Sequence, residues 1–308
     1  MPLLLEGTRV RDAIEADLRP RVEQLARAHR PPGLAVILAG NNPASEIYVR
    51  NKVQACQRLG VYSEKLTPPA SVTTEELVSA VRELNRREEI DGILIQLPLP
   101  PQADAKAVLL AVDPDKDADG LHPLNLGRLF TGRPGPRPCT PAGILEMLRR
   151  YEIPIAGRRA VVVGRSDLVG KPVAMLLLAQ HATVTICHSK TANLAAVCRE
   201  ADILVAAMGR AAMLTADFIQ DGAIVVDVGM NRLTSRDEAA RIFRGAPGKL
   251  AEFDRKGSLL VGDVDPLDVA QKAAAYTPVP GGVGPLTIAA LMMNTVEAAE
   301  RRLGLCST

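Results

Sequence analysis

The sequence predicts an α/β protein made of two αβ domains with a cleft between them. Apolar runs of strand length alternate with segments of helical period nearly from end to end, as expected for parallel strands joined by crossover helices. Two stretches interrupt the alternation, DPDKDADGLHP (113–123) and the Pro- and Gly-rich TGRPGPRP (131–138), after which the pattern restarts. With 308 residues, the chain can bury a core in each domain.

The first domain is expected to span residues 1–139. Its predicted elements are a buried strand in GLAVILAG (33–40), a helix over 43–60 that Gly60 ends, a helix over 73–87 with Thr73 or Thr74 as N-cap, and a strand in IDGILIQLPLP (90–100) that runs into a proline-stopped loop.

The second domain is expected over residues 140–284. It should contain the helix TPAGILEMLRRY, the strand RRAVVVG, a turn and a helix, the strand ATVTIC, another helix, and the strands ADILVAA and GAIVVDVG. A charged segment, 233–258, then interrupts before the strand LLVGDVD. The remaining residues, 285–308, include a helix over 285–302 whose apolar stripe is expected to pack back on the first domain.

Composition excludes several classes of function. The 37 basic and 35 acidic residues give a net charge of +2, which offers no electrostatic case for nucleic acid or for an anionic membrane. The five cysteines include no C-x-x-C pair, so disulfides and a zinc knuckle are not expected, and a reducing cytoplasm fits best. The apolar run in MPLLLEG is too short for a signal peptide, and no window reaches the length of a membrane span.

The stretch VVVGRSDLVGKP (161–172) follows a strand and opens a helix, the context required of a phosphate-binding turn. It departs from the G-x-G-x-x-G fingerprint. Gly164 supplies the tight turn, Ser166 stands where the second glycine belongs, and Gly170 falls one residue late. The hydroxyl of Ser166 could donate a hydrogen bond to a phosphate. A plain connection between strand and helix is the alternative interpretation.

The next strand indicates which nucleotide would bind. An NAD site needs Asp or Glu at the end of this strand to hold the ribose 2′-hydroxyl, but here the strand ends in Cys187-His188-Ser189-Lys190. Without a carboxylate, and with Arg165 in the turn, the site suits a 2′-phosphate. The sequence therefore predicts a Rossmann-like domain that binds NADP rather than NAD. For His188 and Lys190 themselves, a place in a solvated loop is the expected one.

Polar residues near the ends of first-domain elements are candidates for catalysis. Tyr48 and Lys52 are four residues apart, so their side chains share a helix face. The same Tyr-x-x-x-Lys spacing occurs in short-chain dehydrogenases, but there it lies after the nucleotide-binding turn. Gln96 ends a predicted strand and Asp119 lies in DKDADGLHP. Taken singly, each is better explained as an ordinary surface or strand-end residue.

No metal site is predicted. The run from Asp115 to Gly120 resembles the start of an EF-hand loop, but its twelfth position is Leu126 instead of the bidentate Glu. The four histidines have no metal-ligand spacing; they are His29, His122, His181 and His188.

Taken together, the motifs resemble the FolD family of bifunctional methylenetetrahydrofolate dehydrogenase/methenyltetrahydrofolate cyclohydrolases. They occur in family order over nearly the whole chain, which makes the resemblance far more specific than any single motif. The matching pieces are NNPASEIYVRNKVQAC, DGILIQLPLP, PDKDADGLHPLNLGRL, PCTPAGILEML, VVVGRSDLVGKPVAMLL, ATVTICHSKT, ADILVAAMGR, VVDVGMNR and TPVPGGVGPLT.

The resemblance implies two reactions in one pocket. A hydride passes from 5,10-methylenetetrahydrofolate to NADP⁺, and the resulting methenyl cation is hydrolysed to 10-formyltetrahydrofolate. It also implies a homodimer and a place in one-carbon metabolism that supplies purine, methionine and histidine biosynthesis. The resemblance implies that Lys52 acts as acid and base, that Gln96 bonds to Lys52, and that Tyr48 stacks near the folate and orients it. It implies that Asp119 pairs with the pterin N–H groups and that the folate pocket is shaped by Pro280, Gly281 and Gly282. The residues implied to hold NADP are Gly164, Arg165, Ser166, Ser189 and Met230.

Electrostatics gives a separate reason for a neutral amine at Lys52. A lysine is ordinarily a cation, and so is the methenyl product. At ~4 Å and an effective dielectric of ~20, two like charges repel by about 4 kcal/mol. That repulsion favours an uncharged Lys52 beside the product, which could then take a proton from attacking water. Gln96 can accept or donate, so it suits an amine that changes charge.

Two departures from the family pattern concern the second domain. Met230 stands where an aliphatic branched residue is common, and its flexible thioether should still pack on the cofactor. The segment 233–258 is longer than the turn of many members. Surface decoration is its expected role, with a cap over the site and a dimer contact as alternatives.

Three other functions stay open. The first is a single activity on the same fold. It would be favoured if the segment 233–258 blocked the cofactor cleft. The second is another two-domain dehydrogenase, for example one acting on amino acids. The chemistry of such an enzyme does not require the combination of Tyr48, Lys52, Gln96 and Asp119. The third is a nucleotide-sensing protein without catalysis.

Overall fold

The computed structural model describes residues 1–305, so Cys306 lies outside the described part. In chain order its strands are β1 (Leu3–Leu4), β2 (Gly33–Ile37), β3 (Tyr62–Leu66), β4 (Gly92–Ile95), β5 (Arg159–Val163), β6 (Thr183–Cys187), β7 (Ile203–Ala206), β8 (Ile224–Asp227), β9 (Asn231–Leu233), β10 (Leu259–Val261) and β11 (Ala275–Tyr276). The α-helices are α1 (Gly7–Ala28), α2 (Pro43–Leu59), α3 (Thr74–Arg86), α4 (Ala105–Ala111), α5 (Pro123–Phe130), α6 (Cys139–Arg150), α7 (Gly170–Ala179), α8 (Leu194–Cys198), α9 (Arg236–Ile242), α10 (Pro247–Lys256), α11 (Pro266–Lys272) and α12 (Gly284–Arg302).

The chain forms two compact units, and each is built from separate stretches of sequence. The three-stranded unit contains Arg11–Cys139 and, among the described residues, 287–305. The six-stranded unit contains Met1–Val10 and Thr140–Leu286. Within residues 1–305, no helix combines the length and the apolar composition that crossing a bilayer would require.

The sheet of the three-stranded unit has the order β3-β2-β4, with both pairings parallel. Strands β2 and β4 are buried along their whole length, whereas no residue of the edge strand β3 is fully buried, in line with its sequence YSEKL. The strand expected within 90–100 is β4, and Gln96 makes the last ladder bond, from its N–H to the Ile37 carbonyl at 2.9 Å, before the prolines.

Local signals define the helices of this unit. Thr73 is the N-cap of α3, and a capping box forms because its side chain accepts from the Glu76 N–H while the Glu76 carboxylate accepts from the Thr73 N–H. Helix α2 ends at Leu59, and Gly60 follows with a φ of +77°, the left-handed conformation that favours glycine.

A buried carboxylate joins distant parts of the three-stranded unit. Asp91, whose side chain is fully buried, accepts from both Nη atoms of Arg30 at 2.6 and 2.9 Å and from Arg302 Nη1 at 2.7 Å. It also accepts from the Gly33 N–H at 2.9 Å. One side chain therefore connects the segment after α1, the start of β2 and the end of α12.

The sheet of the six-stranded unit has the order β1-β11-β8-β7-β5-β6, and all its pairings are parallel. If the strands β5, β6, β7, β8 and β11 are numbered 1 to 5 by their order along the chain, they lie side by side in the sheet as 2-1-3-4-5. Such a doubly wound sheet has its switch point between β5 and β7, where ligands bind beyond the carboxyl ends of the strands. Two apolar clusters, one centred on Val161 and Leu204 and the other on Val162 and Val205, form its core.

The charged segment 233–258 folds onto this unit as α9 and α10, and strands β9 and β10 flank it as a separate antiparallel pair. Its apolar side chains, among them Ile242 and Phe253, form a small cluster with Ala212 and with residues of β10. Arg244 fastens it to the start of α11 through ion pairs of 2.7 Å to both Asp265 and Asp268.

Candidate active site

Lys52 and Gln96 form the centre of the candidate site in the three-stranded unit. The Lys52 side chain is 7% exposed, and its Nζ donates to Gln96 Oε1 at 3.0 Å. Gln96 Nε2 donates to the Leu97 carbonyl at 2.8 Å. The amide is thus held with its oxygen toward the amine, so Gln96 acts as an acceptor for Lys52.

The fold explains why these two residues meet. Gln96 directly follows β4, and its N–H is bonded to Ile37 at the end of the neighbouring strand β2. Helix α2 begins six residues after β2 ends. The carboxyl ends of β2 and β4 therefore lie at one edge of the sheet, which is the edge where parallel sheets carry their ligands.

Tyr48 precedes Lys52 by one helical turn on α2 and is 44% exposed. At that spacing, the ring and the amine project from the same face of the helix. An exposed ring next to a buried amine can stack on a flat group that approaches the lysine.

Asp119 is held beside this pair by the loop that contains it. The N–H of Ala118 donates to the Ile93 carbonyl at 3.3 Å, so the chain runs alongside β4 here. Burial raises the pKa of Asp119, and the nearby Lys52 charge opposes that rise. The structure therefore brings Lys52, Gln96 and Asp119 together in one unit.

Asp117, which sequence reasoning considered only as part of the rejected calcium loop, shapes this loop. Its carboxylate accepts from the N–H groups of Gly120 and His122 at 3.0 and 2.7 Å and from the Asn125 amide at 2.9 Å. A buried carboxylate with three donors fixes the backbone on either side of Asp119.

Cys139 and Asn294 are two further neighbours that sequence reasoning missed. The Asn294 amide, 6% exposed, donates to the carbonyls of Ala118 and Arg137 at 2.9 and 2.8 Å. The Cys139 thiol donates to the Ala118 carbonyl at 3.3 Å, and burial raises its pKa. The available signal was Asn294 itself, because an amide inside the apolar stripe of a helix requires hydrogen-bond partners.

Pro280, Gly281 and Gly282 lie in the six-stranded unit. The Gly281 carbonyl accepts from the Gly7 N–H at 2.9 Å. A Cβ on Gly7 would lie 1.7 Å from the Gly282 oxygen, so only a glycine allows this approach of the two backbones.

The turn after β5 has the geometry of a phosphate-binding turn. Gly164 has a φ of +138°, and a Cβ there would lie 2.1 Å from the Ala207 carbonyl oxygen. A Cβ on Gly170 would lie 2.2 Å from the Gly164 carbonyl oxygen. The close packing that two glycines permit is therefore present despite the irregular spacing.

Ser166 Oγ accepts from the N–H groups of Val169 and Gly170 at 3.2 and 3.4 Å. Because its oxygen already serves as an acceptor at the start of α7, the hydroxyl proton remains available to donate to another group. Ser166 and Arg165 are both exposed.

Ser189 lies at the equivalent place on the adjacent strand, since Val163 of β5 pairs with Cys187 of β6. The turn after β6 is closed locally: the His188 N–H donates to Thr191 Oγ1 at 2.9 Å, and His188 Nδ1 accepts from the Lys190 N–H at 3.1 Å. This arrangement leaves Ser189 exposed. The structure thus brings Arg165, Ser166 and Ser189 to one edge of the sheet.

Met230 follows β8 and is 47% exposed. Its Cε is 3.5 Å from where a Cβ on Gly284 would stand. Within residues 1–305, no group of three or more His, Cys, Asp or Glu side chains is arranged to hold a metal ion.

Comparisons with known proteins give the family. The chain matches two family models: tetrahydrofolate dehydrogenase/cyclohydrolase, catalytic domain, over residues 5–119, and tetrahydrofolate dehydrogenase/cyclohydrolase, NAD(P)-binding domain, over residues 138–303. It is 66% identical to the bifunctional protein FolD of Solibacter usitatus over 306 residues, covering 99% of this chain and 100% of that one. The FolD protein of Burkholderia thailandensis is 52% identical over 299 residues, with 97% of each chain covered.

Comparison with solved structures supports the same family. The bifunctional FolD enzyme of Campylobacter jejuni superposes with a TM-score of 0.89 at 39% identity, covering 98% of this chain and 100% of that one. The Trypanosoma brucei FolD, solved with NADP cofactor and an inhibitor, gives a TM-score of 0.86 at 38% identity, covering 98% of each chain. The protein described here belongs to the tetrahydrofolate dehydrogenase/cyclohydrolase family, the FolD family.

Proposed function

We propose that the chain catalyses two consecutive reactions: NADP-dependent oxidation of 5,10-methylenetetrahydrofolate to 5,10-methenyltetrahydrofolate, and hydrolysis of that cation to 10-formyltetrahydrofolate. One observation carries the proposal. A buried lysine, bonded to a fixed glutamine and close to an aspartate, occurs in the same chain as a turn suited to NADP.

Lys52 is the proposed base of the hydrolysis. A neutral amine has two N–H bonds and one lone pair, so Lys52 can donate to Gln96 Oε1 while its lone pair accepts a proton from water. After it gains the proton, the ammonium still donates to the same oxygen. Gln96 therefore keeps the nitrogen in one place through both charge states, as an acid–base residue requires.

Asp119 and Tyr48 are the proposed folate contacts. The Asp119 carboxylate offers acceptors for the N–H groups of a pterin ring, and such charge-assisted bonds are the stronger kind. Tyr48 supplies a flat apolar surface for stacking. Pro280, Gly281 and Gly282 are proposed to shape the folate pocket, and the division into domains 1–139 and 140–284 with a helix over 285–308 stays a prediction.

The residues of the six-stranded unit fit NADP. The glycines at 164 and 170 permit close approach of the backbone, and the first N–H groups of the ten-residue helix α7 favour an anion. From Cys187 to Asn193 no carboxylate occurs. When bound, NADP⁺ supplies the acceptor for the hydride. Gly164, Arg165, Ser166, Ser189 and Met230 are proposed to hold it.

Replacing Arg165 should separate the two nicotinamide cofactors. We expect Arg165→Ala to weaken NADP binding by at least about tenfold, because a charge-assisted bond to the 2′-phosphate is lost, while the affinity for NAD changes little. Titration of the apoenzyme with both cofactors measures the difference. Arg158→Ala, an exposed arginine just before β5, is the matched control. Equal losses for NADP and NAD would remove the argument for a 2′-phosphate site.

A single activity on this fold is the second candidate. Purified protein should therefore be assayed for both reactions separately, with each folate substrate and with both nicotinamide cofactors. We expect both activities, with NADP preferred over NAD. Absence of either reaction would reduce the proposal to a monofunctional enzyme.

The family also supports proposals about the setting of the enzyme. A homodimer is proposed, and light scattering of the purified protein would give about twice the chain mass of 32.8 kDa if it holds. A cytoplasmic location and a supply of one-carbon units to purine, methionine and histidine biosynthesis belong to the same proposal.

A further inference from the structure

Two buried carboxylates of the six-stranded unit have no part in the chemistry above. Asp227 ends β8 and is 5% exposed, and Asp263 follows β10 and is fully buried. Burial raises the pKa of Asp227 to about 7. Buried carboxylates are unfavourable unless they are hydrogen-bonded, so the position of their donors shows what the pair organises.

Asp263 accepts hydrogen bonds from the backbone of the loop that follows β7. Its Oδ2 accepts from the N–H groups of Met208 and Gly209 at 2.6 and 2.9 Å, and its Oδ1 accepts from that of Arg210 at 2.8 Å. The side-chain amide of Asn231, the first residue of β9, donates to the same Oδ1 at 2.9 Å. Three consecutive backbone N–H groups on one carboxylate fix the course of this loop.

Asp227 accepts hydrogen bonds from two segments, one just after β8 and one just after β10. Its Oδ1 accepts from the N–H groups of Gly229 and Asp263, each at 2.9 Å, and its Oδ2 accepts from that of Val264 at 2.9 Å. A Cβ on Gly262 would lie 1.8 Å from Asp227 Oδ2, and one on Gly229 would lie 2.3 Å from Asp263 Oδ1. Glycine at both places therefore allows the backbone to reach the carboxylates.

These bonds converge on the residues assigned to the cofactor. Met230 stands between Gly229, which is bonded to Asp227, and Asn231, which is bonded to Asp263. The loop held by Asp263 begins directly after Ala207, whose carbonyl oxygen abuts Gly164 of the phosphate turn. Both loops follow strands of the parallel sheet at its ligand-binding edge.

We propose that Asp227 and Asp263 are positioning residues for NADP: together they hold the loop 208–210 and the backbone around Met230 in the form that the cofactor contacts. The inference rests on the proposed function. It assigns the pair to the dehydrogenase reaction alone, because the reacting groups of the hydrolysis, Lys52 and Gln96, lie in the other unit.

The test compares Asp263→Asn with Asp265→Asn. In Asp263→Asn, an NH₂ group replaces an acceptor oxygen and opposes at least one backbone N–H. We expect the dissociation constant and the KM for NADP to rise at least about tenfold, with hydrolysis of methenyltetrahydrofolate, assayed without NADP, within about twofold of wild type. Asp265 is a buried N-cap two residues away, and asparagine also caps helices. The exchange removes one ion pair of Arg244, but the pair with Asp268 remains. Asp265→Asn should therefore leave the NADP constant unchanged.

An unchanged NADP constant in Asp263→Asn overturns the inference, as does a parallel fall in hydrolysis. Should Asp263→Asn fail to fold, Asn231→Ala keeps both carboxylates and removes only one donor, and a rise of a few-fold in the dissociation constant is then expected. No rise there overturns the inference as well. If the wild type binds NADP but oxidises no folate, the proposed function fails while the binding constants still decide the role of the pair.

Discussion

Lys52→Met is expected to lower the cyclohydrolase rate by about 10²–10⁴-fold, the range that a general base contributes. Methionine has a similar length and an apolar end, so it can occupy the buried site but cannot take a proton from water. NADP affinity should be unchanged, because the residues assigned to NADP lie in the six-stranded unit. The rate of hydrolysis of methenyltetrahydrofolate and the NADP dissociation constant are the two measurements.

Lys65→Met provides the matched control, since Lys65 is exposed on the edge strand β3 and its replacement should leave both values at the wild-type level. If Lys52→Met still hydrolyses the methenyl substrate at the wild-type rate, the proposed base is wrong. A nucleotide-sensing protein without catalysis would likewise be indifferent to this replacement.

Asp91→Ala should have the largest effect on stability. Removal of one partner from a buried ion pair typically lowers the free energy of unfolding by about 3–5 kcal/mol, because the remaining charges lose their compensation. Here two arginines and the Gly33 N–H lose their acceptor together. A large fall in the urea midpoint of the three-stranded unit is the expected result.

The control for this change is Asp12→Ala. Asp12 pairs with Arg11 at 2.6 Å, but its side chain is 63% exposed, and exposed pairs contribute about 0–1 kcal/mol. The urea midpoint of Asp12→Ala should therefore stay close to the wild-type value. Equal midpoints for Asp91→Ala and wild type would mean that the network around Asp91 does not hold the unit together.

Short-range signals predicted much of the fold. The period of the apolar residues gave the α/β class, and Thr73 and Gly60 marked helix ends through bonds and backbone angles that depend on neighbouring residues only. The strand within 90–100 was expected to end at Gln96; β4 ends one residue earlier, at Ile95, although the Gln96 N–H still bonds to the neighbouring strand.

The candidate site was predictable in part. The family motifs pointed to Lys52, Gln96 and Asp119, and the structure places them together, although their catalytic roles stay a prediction. Asp117, Asn294, Asp227 and Asp263 were missed. Asn294, Asp227 and Asp263 have partners on distant segments, up to 176 residues away for Asn294, and spacing along a sequence carries no information about such partners. The donors of Asp117 lie within eight residues of it, but no motif marks that local loop.

The composition of the units has a consequence for synthesis on the ribosome. The three-stranded unit needs residues beyond 286, including Asn294 and Arg302, while the six-stranded unit needs the first ten. The three-stranded unit therefore cannot finish folding until the residues beyond 286 have emerged. During translation, Asp91 is made 211 residues before its partner Arg302, so helix α12 completes a unit most of which was synthesised much earlier.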